Sequence, residues 1–462
     1  MSDKLERKYG LLTAICMVVG IVIGSGVFFK AQTILIKTGG DMPMGILAWI
    51  IGGAIMLVNL LSFAFMGQKY ERVNGMVDYA EATVGQSYGF YMGWFVGTIY
   101  FPSMTGVLAW LTARYTLEFI VSANPNFPMA IPAAQGGCVF GPECMALTVF
   151  ILCGVYAVNA LSPKLAGKLQ TTTTVIKLIP LGLMAVVGLI YGLVSGMLQE
   201  NFVTTAQVAE VSANPLLASV CATAFAYEGW IIATSVNAEI KDSKKNLPKA
   251  LIIGGLAIVA IYLFYYIGVA GGATNQELID KGAPVAFTNI FGGVLGNVLN
   301  LFIAISCLGT TNGLMLGSSR CMYALANRNQ GMKPQMYGQV DRYTNSPTNS
   351  AVFALLASAV WFLYFYVTNL SGIWEGPFAF DSSELPIVTV YAMYLPIIFQ
   401  WMRKEKAENT LRRFIIPGLA ILGCAFMVFA CILAHGWDCL WYLIVFAVVM
   451  ALGGWVNRKN RK

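Results

Sequence analysis

Two short runs of residues interrupt long apolar segments of this chain, and both could bind a small molecule. Residues 24–26 (G-S-G) lie in the middle of the apolar segment 11–37, and residues 227–230 (Y-E-G-W) interrupt the apolar segment 213–238. Glycine costs about 1 kcal/mol in a helix interior, so we expect a helix to break at both places. Broken backbone at membrane depth persists only where protein or a watery cavity satisfies its polar groups. Two such breaks, one in each half of the chain, are typical of a transporter binding site.

The first break suits a negatively charged group. Unwinding at 24–26 frees backbone N–H groups at the N-terminal end of a half-helix, where the helix dipole is positive. A carboxylate fits such an end. The alternative is close helix–helix packing through small residues, but packing alone does not account for the matching break at 227–230.

The second break suits a positively charged group, because its freed carbonyls could receive an ammonium. Glu228 is the one acid that we expect near the middle of the membrane. A buried acid is costly and is usually functional. It could form an ion pair, face a water-filled pathway or carry a proton. A structural hydrogen bond to a neighbouring helix is the alternative.

Other polar residues lie inside apolar segments. Lys177 follows a threonine run at 171–174, and an intramembrane lysine is a functional candidate, although snorkelling to the interface would also explain it. Thr310 and Asn312 could line a polar cavity or form hydrogen bonds between helices. Aromatic residues that could gate such a cavity, or could lie there by chance, are Tyr100, Trp230 and Tyr394.

The composition indicates an integral membrane protein. Of 462 residues, 57% are hydrophobic and 11% are charged, against roughly 25% charged in soluble domains. The apolar segments have the length of membrane-spanning helices, so the predicted fold class is all-α. We assign the net charge of +7 to the loops of one membrane face, and we expect no nucleic-acid partner.

Cysteine and histidine usage argues against metal and enzyme chemistry. The ten cysteines show no zinc-ligand spacing, and the single histidine is His435. Cys138 with Cys144, or Cys431 with Cys439, could form a disulfide, but free thiols are the favoured interpretation. We therefore predict no catalytic residues, no metal site and no cofactor.

The chain is predicted to cross the membrane twelve times. Of 29 Lys and Arg residues, all but Lys30, Lys37, Arg114 and Lys281 fall on the side of the termini or at span ends bordering it. The positive-inside rule then places both termini in the cytoplasm. The predicted spans are 11–37, 43–67, 86–121, 143–161, 170–196, 213–238, 248–271, 291–325, 350–369, 384–402, 413–434 and 438–456.

The two breaks divide the chain into two repeats. Five spans follow from each break, so the first repeat covers about 10–196 and the second about 213–402. Because five is odd, the second repeat starts on the opposite side of the membrane, which is inverted topology. Spans at about 413–456 are peripheral, and the whole chain, 1–462, is one transmembrane domain.

Several motifs give the chain a family resemblance. It resembles the amino acid–polyamine–organocation superfamily, and within it the L-amino-acid transporter type, which includes bacterial serine/threonine and alanine/serine/cysteine exchangers. The motifs are G-S-G-V-F at 24–28, F-A-Y-E-G-W at 225–230, N-A-E-I-K-D-S-K-K-N-L-P at 237–248, G-T-T-N-G at 309–313 and S-R-C-M-Y-A-L-A at 319–326.

This resemblance implies a LeuT-like fold of two five-helix inverted repeats, with helices 1 and 6 broken. It also implies that the ammonium of a lysine, here Lys177, occupies the position at which sodium-driven relatives of this fold bind a sodium ion. Where the family often has Gly or Asp, this chain has Glu228, which could shrink the pocket or change proton coupling. The implied substrate-binding residues are Ser25, Gly26 and Val27 for the carboxylate, Val22, Phe225, Ala226 and Tyr227 for the amine, and Glu228, with Trp230, Thr310 and Asn312 as gating or pocket residues.

The implied function is sodium-independent exchange of small neutral L-amino acids across the plasma membrane by alternating access. Proton-coupled amino-acid symport and transport of polyamines or cationic amines are the alternatives. Animal members bridge an accessory single-span subunit through a loop cysteine, and Cys138 and Cys144 fall in that loop. Bacterial-type members act alone, so we do not expect this partner.

Overall fold

The computed structural model describes residues 7–24, 26–70, 75–206, 214–235 and 237–459. Within these residues, twelve helices are long and apolar enough to cross a membrane, which confirms the predicted number. Spans 1 to 12 are Leu11–Lys37, Met42–Lys69, Gln86–Ala123, Gly137–Leu161, Pro163–Ser195, Pro215–Thr234, Ser243–Gly272, Gly293–Ala326, Thr348–Leu370, Leu385–Lys404, Leu411–His435 and Asp438–Arg458.

Burial separates central spans from peripheral ones. In the most apolar window of each span, 94% of span 3, 78% of span 6 and 76% of span 1 is buried inside the protein, against 11% of span 12. Span 8 packs on spans 3 and 5, and span 7 packs on spans 1 and 2. The two spans with predicted breaks therefore lie at the centre of the bundle, and the last span lies at its edge.

Span 1 is broken where the sequence predicts. Its first half, Leu11–Val22, ends in a tight turn in which the N–H of Gly24 donates to the carbonyl of Val22 across 2.8 Å. Its second half runs over Gly26–Lys37. Ser25 lies outside the described residues.

Span 6 is broken as well. Its first half, Pro215–Tyr227, ends at Glu228, which is extended, and helix resumes at Ile232–Ser235. Gly229 has a φ of +105°, a conformation that costs glycine little and other residues much. The Gly at this position therefore lets the chain turn between the two halves.

Shorter helices join the spans: Gly75–Thr83 after span 2, Met197–Val203 after span 5, Asn275–Lys281 and Ala283–Phe291 between spans 7 and 8, and Pro334–Tyr337 after span 8. Thr274 and Glu277 form a capping box at the start of Asn275–Lys281, a signal that was visible in the sequence as T-x-x-E. The repeat boundaries within the single domain stay a prediction. All ten cysteines, including Cys138, Cys144, Cys431 and Cys439, are free thiols.

Candidate substrate site

The two helix breaks meet at the centre of the bundle. A Cβ added at Gly26 would lie 2.8 Å from the Cα of Ala226, and one added at Gly229 would lie 3.1 Å from the side chain of Ile21. The first of these distances is shorter than real contacts between carbon atoms allow. The second half of span 1 thus approaches the first half of span 6 so closely that only glycine fits at 26.

One tyrosine joins the carbonyls of both breaks. The hydroxyl oxygen of Tyr262, on span 7, lies 3.0 Å from the carbonyl oxygen of Val22 and 2.9 Å from that of Ala226. A hydroxyl has one proton to donate, so it can fully satisfy only one of these carbonyls at a time. The other keeps its capacity to accept a hydrogen bond.

A small cavity lies between the breaks. Its volume is about 30 Å³, which is room for one or two water molecules and too little for an amino acid. Spans 1, 3, 6 and 8 provide its walls. The lining residues are Ile21, Val22, Gly24, Gly26, Tyr100, Met104, Leu108, Phe225, Glu228, Gly229, Ile232, Thr310 and Leu314.

Glu228 lies in the cavity wall and is surrounded by tyrosines. Its side chain is buried, and the hydroxyl of Tyr100 donates to its Oε1 across 3.1 Å. The Oε2 atom of Glu228 and the hydroxyl of the nearby Tyr394 are buried and have no hydrogen-bond partner among the described residues. Among the described residues, no Lys, Arg or His forms an ion pair with it. One tyrosine hydroxyl, rather than a cation, therefore supports the group, and its second oxygen keeps its capacity to accept a hydrogen bond.

Lys177 connects the broken end of span 1 to span 8. Its ammonium is completely buried and donates to the carbonyls of Gly20, Ile23 and Ser306 across 2.7, 2.5 and 3.1 Å. Two of these carbonyls belong to the last turn of the first half-helix, which has no continuing helix to satisfy it. The lysine supplies three donors where three carbonyls converge.

Hydroxyl groups of span 8 satisfy the same end of span 1. The Ser306 hydroxyl lies 3.2 Å from the carbonyl oxygens of Ile23 and Gly24. The Thr310 hydroxyl lies 3.3 Å from that of Gly20 and faces the cavity. Span 8 therefore supports the first break with side chains.

Other predicted site residues lie away from the cavity. The Tyr227 hydroxyl donates to the carbonyl of Trp49 on span 2. Trp230 packs on the rings of Phe63 and Tyr394. The amide of Asn312 bonds to Asn159, Ala166 and Gln170 on spans 4 and 5. Val27 is buried but does not line the cavity.

Ion pairs lie on both sides of the cavity. On the face that carries residues 7–10, here called the terminal face, Arg320 pairs with Glu239 across 2.9 Å, and both side chains are fully buried. Lys8 lies 3.7 Å from the same carboxylate. On the opposite face, Lys30 of span 1 pairs with Glu384 before span 10. Ion pairs thus join sequence-distant segments at both faces of the bundle.

Sequence reasoning missed several of these residues. Tyr262, Tyr265 and Tyr266 carry a usable signal, because three tyrosines at helical spacing on an apolar span indicate a buried polar face. Glu239 and Arg320 each lie in a motif that the sequence displays, but nothing in the sequence pairs them. Ser306 carries no signal that separates it from other serines.

Comparison of the sequence with known proteins identifies a family to which the chain is similar. The family model described as amino acid permease matches residues 9–462. The serine/threonine exchanger SteT of Bacillus subtilis is 27% identical over 448 residues, which cover 95% of this chain and 94% of that protein.

Two mouse proteins are also similar. The large neutral amino acids transporter small subunit 2 of Mus musculus is 26% identical over 358 residues, and the Asc-type amino acid transporter 1 is 26% identical over 359 residues. Each alignment covers 77% of this chain and 64% of the mouse protein. These relatives are amino-acid transporters or exchangers, not enzymes.

Proposed function

Because this chain belongs to the amino acid permease family, we propose that it is a sodium-independent exchanger of small neutral L-amino acids that works by alternating access. The observation that carries the proposal is the meeting of two broken helices at one buried cavity. Broken ends present N–H groups and carbonyls together, which suits a zwitterion.

The substrate carboxylate binds at the start of the second half of span 1. Gly26 and Val27 form the first turn of that half-helix, where N–H groups have no helical partner and the dipole is positive. Ser25, which precedes them in the chain, completes the set. The close approach of Ala226 to Gly26 keeps this end next to span 6.

The substrate ammonium binds the carbonyls on the other side of the cavity. Val22 and Ala226 share the single proton of Tyr262, so acceptor capacity remains for an ammonium, and a carbonyl has two lone pairs. Phe225, which lines the cavity, and Tyr227 contribute backbone carbonyls next to it. Recognition of the zwitterion is then mainly a property of the backbone.

Sodium independence follows from Lys177. Its ammonium lies between span 1 and span 8 and donates to three carbonyl oxygens. Carbonyl oxygens in such an arrangement are also the ligands of a hard cation. A fixed charge there makes a bound sodium ion unnecessary.

Selectivity for small side chains follows from the cavity wall. Glu228 and Thr310 face the cavity directly, and Trp230 and Asn312 hold spans 6 and 8 behind it. A glutamate at this position takes up more space than a glycine or an aspartate would. The pairs Lys30–Glu384 and Arg320–Glu239 are the contacts that must open in turn.

We place the protein in the plasma membrane with both termini in the cytoplasm, because the basic residues cluster on the terminal face. It acts without an accessory single-span subunit. One mouse relative is named a small subunit, but here Cys138 and Cys144 are buried thiols and are not presented to a partner.

Proton-coupled symport is the second candidate. A buried carboxylate in the substrate cavity without an ion pair among the described residues is the observation that favours it, since such groups serve as proton carriers. Polyamine transport has less support, because Glu228 is the one acid among the cavity-lining residues.

Transport assays in proteoliposomes separate these functions. Uptake of labelled serine or alanine is measured into vesicles that are either empty or preloaded with unlabelled amino acid, with sodium or choline outside, and with or without an inward proton gradient. Exchange predicts uptake only into preloaded vesicles, unchanged by sodium. Uptake into empty vesicles driven by the proton gradient would instead establish symport.

A further inference from the structure

A second cavity opens at the terminal face, away from the substrate site. Its volume is about 650 Å³, and its walls come from residues 7–13, residues 164–172 at the start of span 5, and Lys241. The N–H of Lys241 donates to the carbonyl of Tyr9 across 2.8 Å, and the Tyr9 hydroxyl lies 3.3 Å from the carbonyl oxygen of Pro163. These hydrogen bonds hold the three segments together, so the walls of the cavity have fixed positions in the fold.

The cavity is strongly basic. Basic side chains from all three segments line it, together with three threonine hydroxyls, and none of its lining residues in the described chain is acidic. Residues 164, 168, 171 and 172 follow helical spacing and therefore share one face of span 5. The basic residues are Arg7, Lys8, Lys164, Lys168 and Lys241, and the hydroxyls belong to Thr13, Thr171 and Thr172.

The positive-inside rule explains basic residues at this face in general, but not their convergence on a cavity. Lys244, Lys245 and Lys249 lie on the same face and are exposed, and they do not line the cavity. These exposed lysines outside the cavity fulfil the positive-inside rule equally well. A cavity in which cations and hydroxyls converge is suited to phosphate oxygens, which accept hydrogen bonds from both.

The surroundings of the cavity favour a lipid over a soluble anion. Leu12, next to Thr13 in the chain, is 69% exposed, and Val175, one turn beyond Thr171 on span 5, is 57% exposed. Exposed apolar residues beside a basic cavity at the end of membrane-spanning helices provide a surface for an acyl chain next to a place for its headgroup.

We propose that this cavity binds the phosphate-bearing headgroup of an anionic lipid from the leaflet at the terminal face. Lys164, Lys168 and Lys241 are exposed and supply the charge, whereas Lys8 is already engaged by Glu239. The lipid lies against the first half of span 1 and the start of span 5. The site does not depend on which amino acid, if any, the protein carries.

Lipid binding to the whole purified protein tests the site. Native mass spectrometry measures the binding of short-chain phosphatidylglycerol and of phosphatidylcholine to the wild-type protein and to the triple variant Lys164→Gln, Lys168→Gln, Lys241→Gln. A lysine next to the bound anionic headgroup contributes about fivefold to its binding, so we expect the triple variant to bind phosphatidylglycerol at least tenfold more weakly. Phosphatidylcholine should bind weakly to both.

The matched control is Lys244→Gln, Lys245→Gln, Lys249→Gln, which makes the same change in net charge on the same face. We expect it to bind phosphatidylglycerol within twofold of the wild type. Equal weakening in both triple variants, or none in the first, would overturn the proposal. If the first triple variant does not give a monodisperse protein, Lys168→Gln alone should still weaken binding about fivefold.

Inorganic phosphate shows whether the ligand of the cavity is a lipid headgroup or a soluble phosphate. It is titrated against bound phosphatidylglycerol in the same measurement. A lipid site predicts that phosphate displaces the lipid only at concentrations far above those of the lipid. Saturable phosphate binding that the first triple variant loses, without binding of phosphatidylglycerol to the wild type, would assign the cavity to a soluble anion and overturn the lipid proposal.

Discussion

The Tyr100 hydroxyl donates a hydrogen bond to Glu228 across 3.1 Å, and this bond joins span 3 to the break in span 6. Glu228→Gln keeps an oxygen that can accept this bond and removes the charge. We therefore expect Glu228→Gln to retain at least half of the exchange activity. Glu228→Ala leaves the buried hydroxyl without its partner, which costs about 1–3 kcal/mol, and should lower exchange at least tenfold.

Counterflow of labelled serine in proteoliposomes measures both variants, and Tyr100→Phe reports the hydroxyl alone. Complete loss of exchange in a well-folded Glu228→Gln protein would show that the charge itself is required. That outcome would favour proton coupling or a cationic substrate over neutral exchange.

Lys177 is expected to be essential for transport. Lys177→Met keeps a side chain about as long as the aliphatic part of lysine and removes three hydrogen bonds to backbone carbonyls, and a hydrogen bond to a charged group is worth about 1.5–3 kcal/mol. Exchange should fall at least tenfold, while the amount of protein in the membrane stays within twofold of the wild type. Lys244→Met, an exposed lysine on another span, is the control and should transport normally. Normal exchange in Lys177→Met would remove the basis for its proposed role.

Gly26 tests the carboxylate end of the site. The Cβ of Gly26→Ala would lie 2.8 Å from the backbone of Ala226, and backbone cannot move aside as a flexible side chain can. The two breaks must then separate, so substrate binding should be lost. The control is Gly154→Ala in span 4, where nothing lies within 4 Å of the added atom. Binding of labelled serine to detergent-solubilised protein gives the measurement, and wild-type affinity in Gly26→Ala would contradict the assignment.

The breaks could be predicted from the sequence because glycine acts locally. Gly26 and Gly229 lower helix stability locally and so indicate candidate positions for a break, although Gly52 and Gly53 lie within the unbroken helix Met42–Lys69. The twelve spans could be predicted for a similar reason, because the bilayer sets the length and the apolarity that each span must have.

The partners of the breaks could not be predicted because they are tertiary. Tyr262 reaches the carbonyl of Val22 from 240 residues away in the chain. Asn312 illustrates the same limit, since an amide on an apolar helix can face a cavity or a neighbouring helix, and here it faces Gln170. The rotation of each helix about its axis decides such cases, and a span that is apolar on all sides gives no sign of it.

Tyr262 is expected to position the amine site. Tyr262→Phe removes the hydroxyl donor from the carbonyls of Val22 and Ala226, of which Val22 keeps only the N–H of Gly24, and should cost about 1 kcal/mol. Because these carbonyls then lose their fixed separation, the KM for serine should rise three- to tenfold, with a smaller change in kcat. The control is Tyr265→Phe on the same helix, whose hydroxyl has no hydrogen-bond partner among the described residues. Equal kinetics in the two variants would exclude a positioning role.

Glu405, in the loop between spans 10 and 11, should make the protein less stable in acid. Burial alone would raise the pKa of its carboxyl, but hydrogen bonds from Lys69 and Tyr70 outweigh burial and lower the pKa below its usual value. A carboxyl whose pKa is lower in the folded protein stabilises the fold at pH values above its unfolded pKa of about 4.3. That contribution is lost as the pH falls through the folded pKa.

Thermal unfolding of detergent-solubilised protein measures this effect between pH 7 and pH 3. The Tm of the wild type should fall more steeply with acidification than that of Glu405→Gln, by an amount that corresponds to about 0.5–1 kcal/mol. Glu375→Gln removes an exposed glutamate that has no ion pair among the described residues, and it should follow the wild-type curve. Parallel curves for the wild type and Glu405→Gln would show that the loop contacts do not contribute to stability.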